Sequence, residues 1–188
     1  MITETIQRHR FSSGTREFAI ILFGTILLIL SAKIVVPFYP VPMSTQSLVV
    51  LGLGLFFGPV RGFLIVCLYL LEGLAGLPVF AGTPPAPSGF GYFMGPTGGY
   101  LIGFALAAAT TGWIVQRLGH FSVVLRASTA VFVGSAMIYS TGLLWLGIFV
   151  GYSETLLNAG FYPFLVGDLT KAAIVVALYT AYASRCEV

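Results

Sequence analysis

Between residues 18 and 183 the sequence consists of apolar runs of helix length, at 18–36, 44–57, 60–76, 98–116, 122–150 and 162–183, broken by glycine, proline and a few charges. Crossing a hydrocarbon core about 30 Å thick takes roughly 20 apolar residues of α-helix. Inside it, only helices and closed barrels satisfy their own backbone hydrogen bonds. The period-two alternation of a barrel strand is absent from these runs. Charged residues make up 8% of the chain and hydrophobic ones 57%, whereas a soluble domain has roughly 25% charged residues. The expected fold is all-α: a polytopic membrane protein whose residues 18–184 form a bundle of six transmembrane helices after a cytoplasmic segment, 1–17. The second run is short and must be buried by its neighbours or sit where the protein is thin. The fifth is long and is expected to tilt or to break near Gly142. Arg8, Arg10 and Arg16 precede a first run too long for a signal-peptide core and without a small-residue cleavage site, so it is expected to remain as a span.

Basic residues set the orientation, because cytoplasmic flanks retain lysine and arginine. With the N-terminus inside, Arg8, Arg10, Arg16, Arg61, Arg117, Arg126 and Arg185 all fall on the cytoplasmic side, and both termini are cytoplasmic. The net charge of +3 then reflects orientation in a cell's inner membrane and calls for no nucleic-acid partner.

Lys33 and Lys171 lie within spans one and six. At 1.5 Å per residue, Lys33, Glu72, Asp168 and Lys171 share a level roughly 6 to 14 Å below the outer surface. Ionised groups at such depth must face a protein interior, each other or a ligand. Asp168 and Lys171, three residues apart, also share a helix face. Two readings are open: paired charges that hold helices in register (Lys33 with Glu72, Asp168 with Lys171), or an acceptor and a donor side by side for a small solute carrying N–H and C=O groups.

The stretch 77–99, LPVFAGTPPAPSGFGYFMGPTGG, is dense in glycine and proline and carries no charge. It reads as a shaped outer loop, a lid, whose rings Phe80, Phe90, Tyr92 and Phe93 are available for packing or for an interfacial aromatic belt. Span four opens with Gly95, Pro96, Thr97, Gly98, Gly99 and Tyr100. A helix start of this kind serves capping and close packing, and its free amides also suit an anionic group. Between spans one and two, three prolines in PFYPVPMSTQ stiffen a turn, and Ser44, Thr45 and Gln46 place polar groups at the top of span two. Asn158, before span six, is a weaker candidate.

Nucleotide-binding glycine loops are absent, which excludes ATP hydrolysis by this chain. Cys67, Cys186, His9 and His120 have no metal-ligand spacing. A membrane hydrolase would need a base beside its nucleophile, and the nearby serines and threonines have no histidine. No cofactor, metal or catalytic residue is expected.

Four blocks carry a resemblance: VPMSTQSLVVLGLGLFFGPVRG (41–62), YLLEGLAGLPVFAG (69–82), GPTGGYLIGF (95–104) and VGDLTKAA (166–173). In order and spacing they resemble the BioY family, the biotin-binding substrate component of energy-coupling-factor transporters, over about residues 20–180. The resemblance implies uptake of biotin by a six-helix subunit that works with a transmembrane coupling protein and ABC-type ATPase subunits. It also implies a ureido ring held by Asp168 and Lys171 and the GPTGGY block near the ligand. The substrate-binding set is then Asp168, Lys171, Gln46, Phe90, Tyr92, Thr97, Gly98 and Tyr100. Some family members meet the biotin carboxylate with an amide or basic side chain in the lid, whereas residues 73–112 contain no Asn, Gln, Lys or Arg. That leaves main-chain N–H groups, Thr83, Ser88, Thr97, Tyr92, Tyr100 or water. The small-residue pattern used by related components on helix one is also interrupted, with Gly24 followed at i+4 by Leu28. A solitary transporter, a homo-oligomer and a different small vitamin as solute therefore remain open.

Overall fold

The structure, a computed structural model, describes residues 2–81 and 88–186, with side chains for 14–81 and 88–185. Its elements are α1 (Ile2–Lys33), β1 (Val35–Val36), β2 (Met43–Ser44), α2 (Gln46–Leu74), α3 (Gly89–Phe93), α4 (Gly98–Arg117), α5 (Val123–Val150), α6 (Glu154–Gly160) and α7 (Tyr162–Cys186). Five helices contain stretches long and apolar enough to cross a membrane: Gly14–Lys33, Gln46–Leu74, Gly98–Arg117, Val123–Val150 and Tyr162–Arg185. Large apolar side chains such as Phe132, Leu144, Ile148 and Val166 point outward, as hydrocarbon solvent permits. This is a multi-pass membrane protein.

The helix α2 is not straight. Gly58 has φ 81° and ψ 178°, a conformation that glycine alone adopts readily, and Pro59 follows it with no N–H to continue the ladder. In a straight helix Gln46 and Tyr69 would stand about 35 Å apart. Instead the Gln46 amide donates to the Tyr69 hydroxyl at 2.7 Å, so the arms 46–57 and 59–74 fold back as a hairpin. A Cβ on Gly62 would lie 3.3 Å from the Gly54 backbone, which brings the arms together just beyond the corner. The corner is also tied to α1, where Arg61 makes a two-pronged ion pair with Glu17 at 2.6 and 2.7 Å.

The most buried of the spanning helices is α4, which packs between α2 and α5. Small residues allow the approach: a Cβ on Gly54 would come within 2.5 Å of the Ala108 carbonyl, and one on Gly112 within 2.4 Å of the Pro59 nitrogen. Without a hydrophobic drive between helices in lipid, such contacts supply the van der Waals gain. The least buried spanning helix is α7, at the periphery.

Three sequence expectations change. Of the two outcomes expected for the fifth run, the break is not found: α5 is unbroken at Gly142, and that glycine makes room for the ring of Tyr100, 2.4 Å from where a Cβ would be. A short ribbon, Val35 opposite Ser44 and Val36 opposite Met43, interrupts the all-helical plan; two residues per strand are too few to show a period. Lys33 and Glu72, expected at one depth, form no ion pair; Lys33 reaches the carbonyls of Pro78 and Phe80 instead.

Candidate functional site

Asp168 and Lys171 sit one turn apart on α7 and face inward, with 21% and 13% of their side chains exposed. Their surroundings are built by the ribbon and the start of α2, which the prolines of 37–42 bring beneath α7. Lys171 Nζ donates to the Ser44 carbonyl at 2.7 Å, to Asp168 Oδ1 at 2.8 Å and to Ser47 Oγ at 3.3 Å, which engages all three of its N–H groups. Asp168 Oδ1 also accepts from Ser47 Oγ at 3.1 Å, and Oδ2 accepts from the Tyr139 hydroxyl of α5 at 2.5 Å. The pair is therefore more than a bridge within one helix. It ties α7 to α2 and α5 and aims both charged heads at one place.

That place is a hollow of about 50 Å³, several times the roughly 10–15 Å³ that a single water requires. Val41, Pro42, Met43, Ser44, Gln46 and Ser47 line it on one side. Ala81, Tyr92, Thr97, Tyr100, Leu101 and Phe104 close the second, and Ile138, Tyr139, Phe164, Asp168 and Lys171 the third. Apart from the one ion pair, the lining is apolar with a few hydroxyls and an amide, the composition of a small-molecule pocket.

Gln46 is 2% exposed and anchors a polar chain: Ser44 Oγ donates to its carbonyl oxygen at 3.0 Å, its amide donates to Tyr69, and Tyr69 donates to the Val79 carbonyl at 3.1 Å. The roof continues through rings. Phe80 lies edge-on to Tyr69 at 5.6 Å and stacks on Tyr92 at 5.1 Å, and the Tyr92 hydroxyl donates to the Ala81 carbonyl at 2.6 Å. Gly73 admits the Phe80 ring, whose edge is 2.1 Å from where a Cβ would stand.

Of the residues expected from sequence, Asp168, Lys171, Gln46, Tyr92, Thr97 and Tyr100 line the hollow. Tyr100 commits its hydroxyl to the Gly160 carbonyl at 2.8 Å. Phe90 points away and is 66% exposed, because the single turn of α3 turns Tyr92 inward and Phe90 outward. Gly98 also stands outside the lining; its N–H bonds the Gly95 carbonyl at 3.0 Å, and a Cβ would meet the Phe93 carbonyl at 2.0 Å. The GPTGG glycines chiefly seat Trp145 of α5, whose indole N–H donates to the Gly95 carbonyl at 2.9 Å. Asn158 is exposed on α6, Ser88 caps α3 without a side-chain bond, and Thr83 lies outside the described residues.

Ser47 and Tyr139 went unassigned from sequence. The signal for Tyr139 was available: a phenol inside a long apolar span needs a polar partner when buried. A second hollow of about 710 Å³ lies between α5 and α7, bordered by Phe132, Leu143, Leu165 and Val176, and it meets the first at Tyr139 and Asp168. Among the described residues, no three of His, Cys, Asp and Glu gather to hold a metal ion.

The profile of the BioY family matches residues 4–187. The chain belongs to the BioY family. BioY relatives include the "Probable biotin transporter BioY" of Pyrococcus horikoshii, 36% identical over 163 residues that cover 87% of this chain and 93% of the relative. The "Biotin transporter BioY" of Thermotoga maritima is 35% identical over 164 residues, again 87% of this chain and 93% of the relative. In fold, this BioY chain matches a solved structure described as the "S-component for biotin from an ECF-type ABC transporter", with a TM-score of 0.80, 24% identity, and coverage of 92% of this chain and 93% of that one.

Proposed function

We propose that this chain captures biotin at the outer face of the cell's inner membrane and carries it inward as the substrate-specific subunit of an ATP-driven vitamin transporter. The observation that carries the reading is the convergence of Asp168 and Lys171 on one hollow, in a chain whose family relatives are named biotin transporters. The ureido ring of biotin has two N–H donors and a strong C=O acceptor. Asp168 accepts from a ring N–H while Tyr139 and Ser47 hold it in place, and Lys171 gives one of its N–H groups to the ureido carbonyl. Its 3.3 Å contact with Ser47 is the longest of its three and the easiest to exchange. The apolar thiophane ring and valeryl chain lie against Tyr92, Leu101, Phe104 and Phe164. The carboxylate faces the mouth, where Thr97 and the Tyr92 hydroxyl are neighbours.

Ala81 and Tyr92 cover one side of the hollow. Entry therefore lifts the roof formed by residues 77–81 and α3, and closure follows binding.

Six crossings, with both arms of α2 counted separately and both termini cytoplasmic, place every arginine on the inner side. Residues 18–184 form the transport domain after the segment 1–17. The chain is a transport component rather than an enzyme, and a membrane coupling protein with ABC-type ATPases supplies the work of release. Calorimetric titration of the purified chain with biotin tests the reading.

A further inference from the structure

Lys33 ends α1, exposed at the level of the roof. A lysine in the last turn of a helix commonly serves that helix's own carbonyls. This one crosses to another part of the chain: Nζ donates to the Pro78 carbonyl at 2.6 Å and to the Phe80 carbonyl at 3.2 Å. Those carbonyls belong to the strap 77–81, which leaves α2 and roofs the hollow. Ala81 lines the hollow and receives the Tyr92 hydroxyl, and Phe80 is fully buried between Tyr69 and Tyr92.

The strap has little regular structure of its own. Its main-chain bonds run from Leu77 N–H to the Glu72 carbonyl at 3.1 Å and from Val79 N–H to the Leu77 carbonyl at 2.8 Å, and Pro78 has no N–H to give. Side chains therefore hold it: the buried Phe80 ring, the Tyr69 hydroxyl on the Val79 carbonyl, the Tyr92 hydroxyl on the Ala81 carbonyl, and the ammonium of Lys33, which supplies the charged bonds on the Pro78 and Phe80 carbonyls. Bonds from a charged donor are stronger than neutral ones, which offsets the entropy lost by ordering a long side chain.

We propose that Lys33 is a positioning residue for solute retention: its two bonds to the strap carbonyls hold the roof down over the Asp168–Lys171 hollow and so set the rate at which bound solute leaves. The proposal rests on the biotin reading above. Ala81 and Tyr92 cover one side of the hollow, so solute that passes this side lifts the strap, and the Lys33 bonds break and re-form with it. Lys33 need not touch the solute to do this.

The test compares Lys33→Met, which keeps the stem and removes the donors, with Lys33→Arg, whose fork spans two carbonyls, in the full-length chain in lipid nanodiscs. Biotin dissociation is followed by chase with unlabelled biotin, with thermal unfolding as the stability control. For Lys33→Met, dissociation is expected to speed up by about tenfold with association unchanged or faster, while Lys33→Arg stays within about threefold of the parent. Equal dissociation rates for the parent and Lys33→Met overturn the proposal. If Lys33→Met does not fold, Lys33→Gln is read on the same criteria, with a rise of about threefold expected, since the amide retains a neutral donor. A rate increase that vanishes when biotinamide replaces biotin also overturns it, since Lys33 would then meet the solute carboxylate. Amide exchange at Val79, Phe80 and Ala81 without solute is the independent readout. It rises in Lys33→Met if the strap is held as proposed and is unchanged if it is not, even should the parent chain fail to bind biotin.

Discussion

The hydroxyl of Tyr139 on α5 donates to Asp168 Oδ2 on α7 at 2.5 Å, and these two side chains form the wall between the central hollow and the lateral groove. The Tyr139 ring is fixed edge-on against Phe161 at 4.9 Å. α5 thus supplies the group that aims a carboxylate carried by its neighbour.

Replacing Tyr139 by Phe leaves the ring packing and removes only the donor. Biotin affinity should fall by about 1.5 to 3 kcal/mol, since hydrogen bonds to charged groups are worth that much, with the thermal midpoint little changed. Calorimetry on parent and variant checks this. Unchanged affinity would mean that Ser47 and Lys171 suffice to aim Asp168.

Asp168→Asn exchanges a charged acceptor for an amide and leaves Lys171 without its ion-pair partner. The expected loss in biotin affinity is about 2 to 5 kcal/mol. Lys171→Met should have a comparable effect. A purely architectural pair would instead lower the yield of folded protein while the folded fraction bound normally, so binding per folded molecule is the quantity to measure.

Gly99 has no space for a side chain: a Cβ would sit 2.2 Å from Trp145 Cβ and 2.5 Å from the Thr141 carbonyl. Gly99→Ala should destabilise the bundle by about 1 to 3 kcal/mol through overpacking of α4 against α5, read as a lower unfolding midpoint in detergent. Gly91→Ala, where a Cβ meets nothing within 4 Å, is the control and should leave the midpoint unchanged.

Orientation is tested by labelling single cysteines in a chain whose Cys67 and Cys186 are replaced by alanine. Ser153→Cys, between α5 and α6, should react with a membrane-impermeant maleimide in intact cells. His120→Cys, between α4 and α5, should react only after the cells are opened. The opposite pattern would invert the proposed topology.

Much of the architecture was legible because lipid makes sequence rules strict. The break in FFGPVRG and the limits of the long spans follow from backbone chemistry that glycine and proline cannot hide, and the structure places a corner at Gly58. The inward face of α7 was legible because charges in a membrane helix have few places to go. What could not be read was direction around each helix axis. Depth alone set Lys33 level with Glu72, yet Lys33 turns to the strap, and nothing in the spacing distinguishes the two outcomes. The one-turn helix α3 is too short to establish a period, so Phe90 and Tyr92 looked alike. Gly98 and Gly99 read equally well as an anion seat or as a socket, and Trp145, which packs against them, lies 46 residues beyond Gly99 on another helix. Ser47 was hidden among the polar residues at the start of α2.

The central claim is that two opposite charges on α7 present a matched acceptor and donor to a cyclic urea. Titration calorimetry of the purified, monodisperse chain with biotin, desthiobiotin and thiamine tests it directly. The account predicts saturable heat at one site per chain with biotin, weaker heat with desthiobiotin, which keeps the urea but lacks the sulfur ring, and none with thiamine. A folded sample that gives no heat with biotin, or equal heat with thiamine, would contradict it.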